Sequence, residues 1–195
     1  MSGRKRTAVL ISGRGSNMKA LIEAAKDKDY PAEIVLVISN RPDAAGLEAA
    51  RAEGIEAIVI DHTGFDNREA FEAEMQKALV AHGVELVACA GFMRLMTAGF
   101  VDKWKGAMIN IHPSLLPDYK GLDTHARVLA DGAPIHGCSV HFVTADLDSG
   151  PVIAQGKVPV LASDTPETLA ARVLEQEHLI YPKALAMVAR GEVHN

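Results

Sequence analysis

In the stretch Asn110-Ile-His-Pro-Ser-Leu-Leu-Pro117 an asparagine and a histidine stand two residues apart at the end of an apolar run. In an extended chain residues i and i+2 project to the same side. One amide donor and one titratable imidazole therefore face the same point, which suits proton-transfer chemistry. Pro113 fixes its own φ and pushes His112 into an extended conformation. Gly121 marks where the stiff loop ends. His112 alone would read as a polar strand end. With Asn110 on its face and a rigid loop behind it, the pair reads as a site.

Other residues could complete it. Ser12-Gly-Arg-Gly-Ser-Asn17 lies between an apolar run and a helical pattern. Its glycines let backbone N–H groups turn toward an anion, and the helix start adds partial positive charge. Ser16 and Asn17 add side-chain donors, so the turn reads as a cradle for a phosphomonoester. It is not a dinucleotide fingerprint, because Met18 fills the third glycine position and the next strand ends in Ser39-Asn40 without an acid. Nor is it a P-loop, since no Gly-Lys-Ser/Thr follows. Asp148 sits in the turn Asp146-Leu-Asp-Ser-Gly150. Turn chemistry explains it locally, unless the turn folds over His112, where a carboxylate would favour the imidazolium. Glu177 falls at the edge of an apolar helical arc, at the core boundary or in a cleft, with His178 further out and solvated. Arg68 opens a helix whose dipole disfavours a cation; from position alone it reads first as a surface residue, and the misplacement hints at an anionic partner. Phe92-Met-Arg-Leu-Met96 is apolar for a loop and fits a cleft wall or a short buried helix. His136 and His141, five apart on a strand, face opposite sides and carry no pattern. No histidine–carboxylate–cysteine spacing resembles a metal site.

The elements that would position these groups alternate through the first half. Strands are expected over 7–12, 33–39, 55–61 and 84–90, and helices over 17–28, 44–53 and 67–82. Met18, Leu21, Ile22 and Ala25 make one helical stripe, and Phe71, Met75, Ala78 and Leu79 another. Such alternation implies parallel pairing with right-handed crossovers and ligands beyond the carboxyl ends of the strands. After the strand over 107–111 come a short helix over 124–131 and strands over 137–144 and 151–160. Their link is too short for a crossover helix, so that pair is expected to be antiparallel. The last helix starts at Thr165 as N-cap, with Pro166 first in the helix. It runs toward Gly191, with a kink or break at Pro182. The fold class is thus α/β: a Rossmann-like open sheet, parallel in its N-terminal half and mixed in its C-terminal part, with helices on both faces.

The 195 residues are 48% hydrophobic and 23% charged, with a formal net charge of -5. That length suits a single domain, 1–195, able to bury roughly 70% of its unfolded surface. The only basic cluster is Arg4-Lys5-Arg6, which gives no nucleic-acid footprint. The apolar run after it is too short for a signal peptide, and no stretch could span a membrane. Cys89 and Cys138 lie far apart in strand-like runs and read as buried thiols in a reducing cytoplasm.

Taken in order, Ser12-Gly-x-Gly-Ser-Asn17, Ala90-Gly-Phe-Met-Arg94, Asn110-Ile-His-Pro-Ser-Leu-Leu-Pro117, His141-Phe-Val-Thr144, Leu147-Asp-x-Gly-Pro151 and Gln176-Glu-His178 closely resemble the folate-dependent formyltransferases. Within them the match is to the phosphoribosylglycinamide (GAR) branch of purine biosynthesis, over nearly the whole chain. The resemblance implies a formyltransferase fold and formyl transfer from 10-formyltetrahydrofolate, a co-substrate, to the glycinamide amine, with no metal. It implies small-molecule partners only, a cytoplasmic location, and a monomer or homodimer. It assigns Asn110, His112 and Asp148 as the catalytic trio. Gly15, Ser16, Asn17 and Glu177 would hold the ribonucleotide. Arg68, Met93, Arg94, Leu95, Met96 and Asn110 would contact the folate, as would Thr144 and Asp148 in the turn 144–149.

The chain departs from that pattern at Arg14, where asparagine is common, at Asp123, and at Ser149, which replaces a glycine; His125 keeps only a weak role. The trio is untouched. Two other functions remain to be separated by experiment: hydrolysis of 10-formyltetrahydrofolate, and a non-catalytic nucleotide-binding module.

Overall fold

The computed structural model describes residues 3–195. Its elements are β1 (Lys5–Ile11), α1 (Ser16–Ala25), β2 (Ala32–Ser39), α2 (Gly46–Ala52), β3 (Glu56–Val59), a 3-10 turn (His62–Gly64) and α3 (Arg68–Ala81). They continue with β4 (Leu86–Cys89), α4 (Ala98–Lys103), β5 (Met108–His112), α5 (Thr124–Ala130), β6 (Ile135–Phe142), β7 (Val152–Pro159) and α6 (Pro166–Ala189). One seven-stranded sheet has the order β3-β2-β1-β4-β5-β6-β7. The first five strands are parallel; β6 runs antiparallel to β5, and β7 to β6. Strand order reverses between β1 and β4, which leaves a crevice at their carboxyl ends, the usual ligand position in open α/β sheets.

Period-two alternation divides the core into two layers. Val9, Ile11, Ile109 and Ile111 pack with Met18 and Leu21 of α1, Leu47 of α2 and Val173 and Tyr181 of α6. Leu10, Cys89 and Met108 face the other way, onto Phe71, Met75 and Leu79 of α3 and Phe100 of α4. Asn110 and His112 follow Met108 on this second face, so β5 delivers both to the α3–α4 side.

Three features differ from expectation. α4 was not anticipated; Thr97 caps it, its hydroxyl accepting from Phe100 N–H. Buried Glu72 of α3 accepts from Thr97 N–H at 2.6 Å and also from the Thr97 hydroxyl. Several strands are shorter, β3 spanning only Glu56–Val59. α6 also runs through Pro182 without a break. The proline removes one helical hydrogen bond, at a cost of about 3 kcal/mol. Tyr181 and Leu185 beside it are fully buried, each worth about 1.5–3 kcal/mol, so packing outweighs the local penalty. The start of α6 is as expected: Thr165 accepts from Thr168 N–H and Pro166 opens the helix.

Candidate active site

β5 and β6 pair so that Asn110 lies opposite His141 and His112 opposite Ser139. The turn between β6 and β7 then carries Asp148 back over the sheet end. Asp148 Oδ2 is 3.4 Å from His112 Nδ1, and its Oδ1 is 3.7 Å from His141 Nε2. Both side chains of the His112–Asp148 pair are more than nine-tenths buried. Asp148 has φ 48°, a left-handed conformation that aspartate tolerates better than most residues.

The loop after β5 supplies the other contacts. His112 Nε2 lies 2.9 Å from the Tyr119 carbonyl, and Gly121 N–H donates to Asp148 Oδ2 at 2.9 Å. Both His112 nitrogens thus face oxygen acceptors. At 3.4 Å the Nδ1 contact is longer than a good N–H···O bond, which leaves Nδ1 room for an incoming oxygen.

Asn110 Nδ2 is 3.2 Å from His141 Nε2, and His141 Nδ1 is 2.8 Å from the Phe142 carbonyl. Nδ1 can only donate to a carbonyl, so Nε2 is the acceptor when the ring is neutral. Burial pushes the His141 pKa down, against the Phe142 carbonyl and Asp148, which push it up. Burial is the largest of these effects, so we assign His141 as neutral despite the nearby carboxylate. The amide orientation of Asn110 follows, with its second Nδ2 hydrogen free.

Asn110, His141 and Asp148 line one end of a cavity of about 270 Å³, with His112 behind Asp148. Phe92, Leu95, Met96, Val101 and Val143 give it an apolar wall, and Arg68, Arg94, Thr144 and Asp146 its polar points. Arg94 Nε is buried without a hydrogen-bond partner. A buried, unpaired guanidinium nitrogen is costly and marks a place where a ligand oxygen would bond.

A second cavity, of about 280 Å³, lies over the glycine turn and is lined by residues 12–17, Arg41, Ala90, Gly91 and Met93. The segment 90–96 therefore borders both cavities. It is tied to the turn by Met93 N–H donating to Ser12 Oγ at 2.8 Å and Ser12 N–H to the Gly91 carbonyl at 3.1 Å. Gly15 caps α1 at φ 71°, a conformation that favours glycine. Asn17, buried on α1, donates from Nδ2 to Glu177 Oε2 at 2.6 Å, and its own Oδ1 lacks a partner.

Comparison with known proteins agrees with this geometry. Residues 5–185 match the formyl transferase domain family. The chain belongs to the formyl transferase family. It is 46% identical to Escherichia coli phosphoribosylglycinamide formyltransferase over 95% of this chain and 87% of that protein. It is 48% identical to the bovine trifunctional purine biosynthetic protein adenosine-3, covering 97% of this chain but only 19% of that longer protein. Among solved structures, Brucella melitensis phosphoribosylglycinamide formyltransferase superposes with a TM-score of 0.92 at 48% identity, covering 95% and 96% of the two chains. Glycinamide ribonucleotide transformylase 1 from Symbiobacterium toebii gives a TM-score of 0.95 at 43% identity, over 98% and 90%.

Against this formyl transferase frame, Asn110, Asp148, Arg68, Arg94, Leu95, Met96 and Thr144 meet in the first cavity, and His112 joins them through Asp148. Gly15, Ser16 and Asn17 line the second, with Glu177 behind Asn17. Met93 does not join its neighbours: it lines the second cavity with a side chain 67% exposed. His178 is not solvated as expected, because its Nε2 is buried without a partner. Asp146, within the turn 144–149, and His141 also belong to the first cavity; no role was expected of His141, because only the antiparallel register, which no local pattern encodes, brings it opposite Asn110. His125 pairs with buried His136 at 3.1 Å, away from the cavity lining, and Asp123 is exposed.

Proposed function

We propose that the chain transfers the formyl group of 10-formyltetrahydrofolate to the glycinamide amine of 5'-phosphoribosylglycinamide, in purine biosynthesis. The observation that carries this reading is the meeting of Asn110, His112 and Asp148 at the end of an apolar cleft separated from a phosphate-type turn by a single segment. The 46% identity with the E. coli enzyme over 95% of the chain supports it. Two buried, unpaired cysteines support a reducing, cytoplasmic setting.

We assign the pterin end of the folate to the first cavity: its aromatic and aliphatic walls suit a pterin, and Arg94 Nε offers a donor to a ligand oxygen. When bound it supplies an activated formyl carbon. The Ser12–Asn17 turn grips the phosphate and Glu177 orders the ribonucleotide end, so positioning lowers the barrier. As the amine attacks, Asn110 Nδ2–H and His112 Nδ1–H donate to the formyl oxygen as it gains charge. Asp148 accepts the proton leaving the amine and, through water, returns one to the departing nitrogen. No protein nucleophile is required, since the substrate brings its own.

The test is product formation alongside formate release, each measured with and without the ribonucleotide. Formyl-ribonucleotide formed without excess formate is expected. Equal formate release with and without it would identify a hydrolase, and no folate binding by calorimetry would leave only a nucleotide-binding module.

A further inference from the structure

Tyr119, Lys120 and Gly121 are consecutive, and each touches the catalytic constellation or the turn that carries it. The Tyr119 carbonyl faces His112 Nε2, Lys120 Nζ donates to Ser149 Oγ at 2.6 Å, and Gly121 N–H donates to Asp148 Oδ2. Two neighbouring residues of one loop thus grasp two neighbouring residues of another. The backbone on both sides is left-handed: Tyr119 has φ 52°, Gly121 φ 80° and Asp148 φ 48°, a conformation that is strained for Tyr119 and Asp148 but open to glycine. Left-handed residues either side of Lys120 turn the Tyr119 carbonyl and the Gly121 N–H toward the site, while the Lys120 carbonyl turns away. That outward carbonyl accepts from Arg127 Nη1 at 2.7 Å, and the same nitrogen donates to the Leu122 carbonyl at 3.2 Å. The Arg127 guanidinium also lies 5.5 Å from the centre of the Tyr119 ring, within cation–π range. Strained segments hold only where their surroundings over-determine them, and these contacts do so here. Ser149 adds a hydroxyl that a glycine at this point of the turn would lack, and it also donates to the Leu147 carbonyl at 2.9 Å.

We propose that residues 119–121 form a clip that sets the His112–Asp148 geometry, closed by the Lys120–Ser149 latch and braced by Arg127. Lys120, Ser149 and Arg127 are thereby positioning residues: none needs to touch substrate. The proposal rests on the formyl-transfer reading above, because it names what keeps that reaction's acid–base pair in register. Sub-ångström misplacement of such a pair is felt in the chemical step more than in binding.

The experiment compares the full chain with Lys120→Met, Ser149→Ala, the double variant and Arg127→Met. It reads kcat, the KM of each substrate, and the 15N signals of the His112 ring. Each single variant is expected to lose about 10-fold in kcat, with the ribonucleotide KM changed by no more than about twofold. The Lys120→Met/Ser149→Ala double variant should be no worse than either single one, since both remove the same bond. The His112 ring signals should move while those of distant His82 stay put. Unchanged kcat, or losses from the two latch variants that multiply, would overturn the clip. If the wild type formylates nothing, the assigned reaction fails instead, and the His112 signals alone still decide whether the latch sets that ring.

Discussion

Asn110 and His141 are register partners across the antiparallel β5–β6 pair, with Asn110 Nδ2 3.2 Å from His141 Nε2. The imidazole therefore orients the amide proposed to polarise the formyl oxygen, and does so as a neutral acceptor held by the Phe142 carbonyl. Replacing it with His141→Phe keeps an aromatic ring, a little larger than imidazole, and deletes both polar contacts. The Asn110 amide then loses the partner that fixes its rotation. We expect kcat to fall by about 10- to 100-fold with the ribonucleotide KM nearly unchanged, read by steady-state kinetics. A variant with full kcat would show that Asn110 holds its orientation unaided.

Asp148→Asn should separate charge from shape. Asparagine adopts the left-handed conformation at least as readily as aspartate, and its amide oxygen can still accept from Gly121 N–H. The turn should persist, with a melting temperature within about 2 °C of wild type. The proton acceptor is lost, so kcat should drop by about 10²–10⁴-fold. Retained turnover in a folded variant would remove Asp148 from the chemistry.

The phosphate-type turn leans on a residue outside its own sequence. Gly46, opening α2, donates its N–H to the Gly13 carbonyl at 3.0 Å. A Cβ there would come within 2.6 Å of Ile11 Cδ1 and 3.3 Å of Gly15 Cα. Gly46→Ala should therefore shift the turn, raising the ribonucleotide KM by about 10-fold while leaving the folate KM alone. Steady-state kinetics with each substrate varied in turn checks this. Equal effects on both would mean that the two cavities do not bind independently.

What could be read beforehand followed from local rules. Period two put Asn110 and His112 on one face, and the alternation of strands and helices located the crevice, Gly15–Asn17 included. Arg68, the cation at the start of α3, lines the first cavity. What could not be read depended on contacts distant in sequence. His141 joins the site only through strand register, and Asp148 only because its turn folds over β5. Glu72 pins the start of α4 from 25 residues away, so the helix after Met96 had no strong signal of its own. α6 continues through Pro182 because propensity is local, whereas the packing of Tyr181 and Leu185 is not.

Glu177 yields a prediction about pH whose sign is fixed by its surroundings. Burial pushes its carboxyl above the ordinary 4.5, with the hydrogen bond from Asn17 working the other way. A carboxyl raised in the folded state binds its proton more tightly folded than unfolded. Its contribution to stability is full below the unfolded value and is lost as pH rises through the folded one. Glu177→Gln cannot ionise and escapes that loss. Its amide oxygen can still accept from Asn17 Nδ2, and its amide nitrogen can offer a bond to Asn17 Oδ1, which now has no partner. The variant should therefore gain stability relative to wild type between about pH 5 and about pH 8, measured by urea unfolding at both, even as loss of the carboxylate raises the ribonucleotide KM. If wild type instead gains on the variant as pH rises, the hydrogen bond from Asn17 outweighs burial, and Glu177 sits in the folded protein as a stabilised anion.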